Sequence, residues 1–411
     1  MIRHHFQFLA TASRAERRAL LASLLGWMLD GMDVTLYAMV IAELMRSLSL
    51  TGGQAGLLAS VTLVASALGG VLFGVLADRV GRRAALMVSI LVYSVFTAAC
   101  GLSRGVVELA VFRFLLGLGM GGEWATGAAL VAETWRPEHR GKALGLMQSG
   151  FAIGYALAAM ISALVLPRWG WRAVFFVGIL PALLTLWIRR SVDESPLWMA
   201  KRRAGRLVAP SAPQSRLGSY GRLLLFTLLI NTAALFGWWG LFTWIPSYLA
   251  LPATQGGRAL ALTTSSLWIV VMQLGMWLGY VTFGFMSDRL GRKKTYMGYL
   301  LLAAFLVPLY ARAESALSLL FLGPLVAFFG TGHFTGFGII TAELFPTSIR
   351  ATAMGLAYNF GRILSAAAPW LMGVAAEQGG INSAFWICAL AYLLAGLLAT
   401  LLPETRGRHI T

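Results

Sequence analysis

The sequence predicts an all-α membrane protein: twelve transmembrane helices in two pseudo-symmetric six-helix halves. Three observations predict it. First, the 411 residues are 58% hydrophobic and only 12% charged, with a mean hydropathy of +0.74, whereas a soluble domain carries about 25% charged residues. Second, the apolar residues fall in twelve long runs. Third, the last six runs repeat motifs of the first six. The composition excludes a water-soluble enzyme, a disordered chain and a fibrous repeat.

A helix needs about 20 apolar residues to cross the hydrocarbon of a bilayer. The runs that meet this need are 19–45, 54–77, 84–101, 106–134, 143–166, 172–188, 223–250, 260–286, 295–311, 316–344, 352–375 and 383–402. They are too long for barrel strands and lack period-two alternation. The chain therefore divides into a cytoplasmic N-terminal segment (1–18), a six-helix half (19–188), a basic linker (189–222), a second six-helix half (223–402) and a tail (403–411). Residues 1–18 lack a signal-peptide pattern, so the first run is expected to stay in the protein.

Charge gives the orientation. With the N-terminus inside, the cytoplasmic segments hold 25 of the 33 Lys and Arg, the opposite side holds six, and Arg113 and Arg362 lie within runs. The positive-inside rule places both termini in the cytoplasm of a cell (inner or plasma) membrane. The net charge of +17 would suggest nucleic acid in a soluble protein. Here the charges lie between apolar runs, so the expected partner is membrane lipid, with no nucleic acid. Cys100 and Cys388 form no disulfide framework and no metal-ligand spacing.

The halves are related in sequence. GVLADRVGRR (74–83) recurs as GFMSDRLGRK (284–293), and AETWRPEHRGKALGL (132–146) as AELFPTSIRATAMGL (342–356), both at an offset of 210. Asp78 maps onto Asp288, Arg82 onto Arg292, Glu133 onto Glu343 and Arg140 onto Arg350. Duplicated six-span halves are a transporter architecture with the substrate site at the midplane.

The Gly-x-x-x-Asp-Arg-x-Gly-Arg-Arg element, Arg113-x-x-x-Gly117-x-Gly119 in span four and the twelve-span layout resemble the major facilitator superfamily. DESPLW (193–198) and PETRG (403–407) resemble elements of its sugar-porter branch. The stretch from Gly119 to Pro181 most resembles the sialate and lactate proton symporters, and LDGMD (29–33) resembles the motif of aromatic-acid proton symporters, with Met32 in place of the aromatic. The resemblance implies alternating access and a cavity lined by spans 1, 4, 7 and 10. It also places Glu133 and Glu343 near Arg82 and Arg292, in a cytoplasmic gate that includes Asp78, Asp288, Arg140 and Arg350.

Ionisable residues inside a membrane are expensive and mark function. Span midpoints place Asp30, Asp33, Glu123, His333 and Arg362 at one depth, with Glu123 and His333 related by the same 210 offset. Asp30 and Asp33 lie about 60° apart on a helix, so they share a face. Two such carboxylates cannot both ionise cheaply, so one is expected to hold a proton near neutral pH. Asp30, Asp33, Glu123 and His333 are the candidates for proton coupling; each also has a structural reading, as a cap, an ion pair or a core hydrogen bond. Arg362 presents a fork matched to a carboxylate; its other reading is an ion pair with an acidic residue. Gln148, Asn231 and Asn359 are weaker candidates for substrate contact.

The expected function is proton-coupled symport of a small organic anion by a monomer, with the proton as coupling ion, no cofactor, no metal and no enzymatic activity. No phosphate-binding loop of the Walker type is present. A neutral-sugar porter or a drug efflux antiporter of the same superfamily is the alternative.

Overall fold

The computed structural model describes residues 7–203, 220–345 and 350–406, and no strand occurs among them. Helix α1 spans Arg14–Ser47, α2 Gly52–Val80, α3 Arg82–Cys100 and α4 Val106–Thr134. Helix α5 spans Pro137–Val177 and α6 Ala182–Ser191, followed by a short helix at Pro196–Arg203. Then come α7 (Gly221–Ala250), α8 (Leu262–Leu290), α9 (Arg292–Arg312), α10 (Ala316–Leu344), α11 (Arg350–Ser365), α12 (Ala367–Gly379) and α13 (Ile381–Leu398). Within linker residues 189–222, residues 204–219 lie outside the described residues.

Local chemistry sets the helix starts. Two reciprocal capping boxes occur among the described residues. At α1, the Ser13 N–H donates to Glu16 and the Glu16 N–H donates to Ser13 Oγ. At α2, Thr51 and Gln54 make the same exchange. Ser315 Oγ caps α10 by accepting from the Ser318 N–H.

The runs at 106–134 and 316–344 coincide with α4 and α10 end to end. Two runs depart from single helices. The sixth is broken by a turn at Gly178–Pro181, which separates α5 from α6, and Gly170 sits at φ 72° within α5. The eleventh is broken between α11 and α12. Pro369 lies four residues beyond Ser365 and has no N–H to bond its carbonyl, which weakens the ladder at that point. Nine described helices are long and apolar enough to cross a membrane. One of them, Lys142–Ser191, takes in the fifth and sixth runs.

The chain forms two compact units. One contains the described residues up to Val34, Ala65–Gly154 and those from Arg172 into the linker; the other contains Thr35–Val64, Tyr155–Trp171 and the described residues from Tyr220 onward. In the first unit, Ala19, Ala22, Leu86, Ile90, Tyr93, Leu116, Leu130 and Ile188 form a buried apolar cluster. There α2 and α4 touch backbone to backbone: a Cβ at Gly69 would fall 2.0 Å from the Leu118 carbonyl oxygen. In the second unit, α8 and α10 do the same at the positions 210 residues on, with Gly279 against the Phe328 carbonyl oxygen at 2.4 Å. Only glycine permits so close a crossing.

Candidate functional site

Among the described residues, the first unit buries Asp30, Asp33, Arg113 and Glu123 in its apolar interior, each at most 2% exposed. Asp30 and Asp33 come from one face of α1, and Arg113 and Glu123 from α4. Asp30 acts electrostatically on both Asp33 and Glu123, and Tyr93 of α3 feels all three carboxylates. Glu123 packs against the Gly26 backbone, where a Cβ would meet its Oε1 at 2.4 Å. Neither oxygen of Glu123 has a hydrogen-bond partner among the described residues. Thr97 lies beside Asp33, but its hydroxyl donates to the Tyr93 carbonyl at 2.8 Å. Arg113 and Asp33 both act on the thiol of Cys100. Three carboxylates and one guanidinium thus share a water-poor pocket between α1, α3 and α4. Burying charge there is costly.

The second unit places the remaining candidates. His333 is buried on α10, its ring 4.4 Å from Phe334, 5.9 Å from Tyr392 and 6.3 Å from Tyr296. Arg362 is buried on α11 with its guanidinium carbon 5.9 Å from the centroid of Tyr358, within reach of a cation–π contact. Its Nε has no hydrogen-bond partner among the described residues. Asn231 donates from Nδ2 to the Ala357 carbonyl at 3.0 Å and lies against Gly361, so it ties α7 to the turn that carries Arg362. Asn359 donates to Gly355 within its own helix. In the first unit, Gln148 accepts from the Trp124 indole at 3.2 Å. The amides of Asn231 and Asn359 are thus partly committed to the protein itself.

The duplicated loops build the same charged clasp twice. In the first, Arg82 straddles Glu133, with Nε to Oε2 at 3.0 Å and Nη2 to Oε1 at 2.9 Å. Its Nη1 donates to Asp78 at 2.8 Å. Glu194 caps α3 by accepting from the N–H groups of Arg82 (2.8 Å) and Arg83 (3.1 Å), and Ser195 Oγ donates to Glu133. In the second, Arg292 meets Glu343 at 3.3 Å and pairs with Asp288, Glu404 caps α9 through Arg292 N–H (2.9 Å), and Thr405 donates to Glu343 at 2.6 Å. The side chains of Arg140 and Arg350 lie outside the described residues.

The clasps explain the glycine of each loop. Gly81 has φ 109° and Gly291 φ 101°, a region that favours glycine. A Cβ at Gly81 would fall 2.2 Å from Glu194 Oε2, and one at Gly291 2.7 Å from Glu404 Oε2. Glu404 titrates outside the spans. Slight burial works against its charge, yet the N–H groups of Arg406, Arg292, Thr405 and Lys293 hold its carboxyl below the usual carboxylate range.

Glu194, Ser195, Glu404 and Thr405 are absent from the gate residues expected from sequence. A signal for them exists: Glu194 and Glu404, and Ser195 and Thr405, lie at the same 210 offset as the two longer repeats.

A helical multi-pass chain with ionisable groups buried in its interior and a charged clasp repeated in each half is a membrane transporter rather than an enzyme. The sequence pattern of the Major Facilitator Superfamily matches residues 23–263 and 249–410, and the chain belongs to that family. It is similar to the sialic acid transporter NanX of Escherichia coli, 32% identical over 92% of this chain and 91% of the relative. It is also similar to the niacin transporter NiaP of Acinetobacter baylyi, 30% identical over 94% and 93%. Its fold matches the partially occluded inward-open xylose transporter XylE of E. coli at a TM-score of 0.76, 21% identity, 97% of this chain and 100% of that one.

Proposed function

We propose that the chain is a secondary active transporter that couples proton flow to symport of a small organic anion: a monocarboxylate, a sialate-like sugar acid or an aromatic acid. It works as a monomer in the cell (inner or plasma) membrane, both termini cytoplasmic, by alternating access between its six-span halves. The observation that carries this reading is the burial of Asp30, Asp33 and Glu123 together between α1, α3 and α4. Three carboxylates in so dry a pocket exchange protons more readily than they hold three charges. Arg362 supplies the fork for the substrate carboxylate, and Asn231, Asn359 and Gln148 are the weaker substrate contacts. The clasps around Arg82 and Arg292 bias the cytoplasmic gate. Relatives named for sialic acid and niacin, both carboxylic acids, support the anion.

The test is reconstitution in liposomes under an inside-alkaline pH gradient, with labelled lactate, sialate, benzoate and a neutral sugar offered at two external pH values. Exchange needs only the moving cavity, whereas accumulation needs a group that loads outside and unloads inside. One of Asp30→Asn, Asp33→Asn or Glu123→Gln should still exchange anion but no longer concentrate it. If all three variants accumulate substrate in response to the gradient, the carboxylates do not carry the coupling proton. Uptake of the sugar alone would replace the anion reading.

A further inference from the structure

The ends of α2 and α12 away from the clasps meet in a seam of a different kind. Helix α2 starts at Gly52, and its other end carries Asp78, about 40 Å away along the axis. At the start of α2 the chain backbones touch directly. A Cβ at Gly373 would fall 2.1 Å from the Gly52 carbonyl oxygen, and one at Gly56 would fall 2.2 Å from that of Pro369. Tyr37 Oη donates to the Ala55 carbonyl at 2.7 Å, which closes the α1 side of the seam. Ala55 itself is fully buried. The polar bond across this seam is that from the Gly53 N–H to Glu377 Oε1, at 2.6 Å.

This geometry has two properties of a contact made to open. At Gly56 and Gly373 the nearest contact is glycine against a carbonyl rather than a side chain, so these points can part without repacking rotamers. The bond across it joins a first-turn N–H, which has no partner within α2, to an exposed carboxylate, favoured by the positive end of the helix dipole. Both groups can pass to water when the contact breaks. Helix α2 belongs to the second compact unit only up to Val64; from Ala65 it is part of the first.

We propose that Glu377 is the latch of a gate on the membrane face opposite the two clasps, closing when its carboxylate caps α2 at Gly53. The proposal rests on the alternating-access reading above, and its test needs no substrate. Cys100 and Cys388 are both buried, so an introduced thiol at the seam gives the label that matters. Ala55→Cys in proteoliposomes should react slowly with a membrane-impermeant maleimide. Adding Glu377→Ala should raise that rate by about threefold or more, the effect of losing a modest hydrogen bond. Glu377→Gln keeps an acceptor oxygen and should fall between the two. Gly53→Cys with Val374→Cys brings two Cβ positions together, since a Cβ at Gly53 would lie 3.1 Å from Val374 Cγ2. Oxidation of that pair should block exchange and reduction should restore it. Equal labelling in the presence and absence of Glu377, or full exchange by the oxidised pair, would overturn the latch. Because labelling reports opening whatever solute is carried, a wrong substrate or a missing proton coupling leaves this result readable.

Discussion

At the scale of single residues, Arg362 and Gly81 make the sharpest tests. Arg362 is a buried guanidinium beside Tyr358, on a turn tied to α7 by Asn231. Lysine would keep its charge but lose the planar fork that matches a carboxylate. Arg362→Lys should therefore weaken anion binding by about tenfold or more, measured by calorimetry on purified protein; unchanged affinity would remove Arg362 from the site. Gly81 differs from its neighbour Gly74 in a way that predicts opposite outcomes. Gly81→Ala meets both a positive φ, costing about 1–2 kcal/mol, and the Glu194 carboxylate. Gly74 lies in helix α2 with nothing within 4 Å of a Cβ, so Gly74→Ala should be neutral or stabilising by up to about 1 kcal/mol. Thermal unfolding in detergent separates the two.

At the scale of elements, the two clasps share a plan but not a strength. The first has a two-bond Arg82–Glu133 fork, while the second has a single Arg292–Glu343 contact at 3.3 Å. Glu133→Gln should lower the melting temperature more than Glu343→Gln does. Glu404 adds a pH dependence whose sign is fixed. Its carboxyl is held low in the folded protein, so capping contributes stability above the ordinary carboxylate pKa and is lost as pH falls through the lowered value. Glu404→Gln should flatten the acid limb of the stability profile, an effect damped by solvent because the side chain is exposed. The elements also mark how far the sequence could be read. Runs four and ten matched α4 and α10 because hydropathy and helix ends coincide there: an extended Gly105 or Ser315 stands before each helix, and an extended Trp135 or Phe345 after. Runs six and eleven did not, because hydropathy does not register a turn made of apolar residues or a proline that removes one hydrogen bond.

At the scale of the whole molecule, the repeat was legible and its third strand was not assembled. The 210 offset exposed the loops and the span-end acids, and the same offset in DESPLW and PETRG assigns Glu194 and Glu404 one role, as helix caps. Span midpoints alone were enough to group Asp30, Asp33 and Glu123, and Asp30 does act on both of the others. The commitments of Asn231 and Asn359 to backbone carbonyls needed coordinates, because amides of one composition serve packing and binding alike. If the clasps bias a gate, their loss should change rates and leave the cavity intact. Asp78→Asn is accordingly expected to slow exchange while equilibrium anion affinity stays within about twofold of the parent. A parallel loss of affinity would place Asp78 in the binding machinery instead.

The clasps also bear on how the chain is made. Each is sealed by residues that follow the sixth span of its own half: Glu194 and Ser195 in one, Glu404 and Thr405 in the other. Arg82 is translated 112 residues before the glutamate that caps its helix, and Arg292 waits the same interval for its own. During synthesis the leading half can therefore close while the trailing half is still threading into the bilayer, in keeping with domains folding as units from the N-terminus. A chain that ended at Leu402 would contain all twelve spans yet lack Glu404 and Thr405, leaving the Arg292 N–H without its cap and Glu343 without its Thr405 bond.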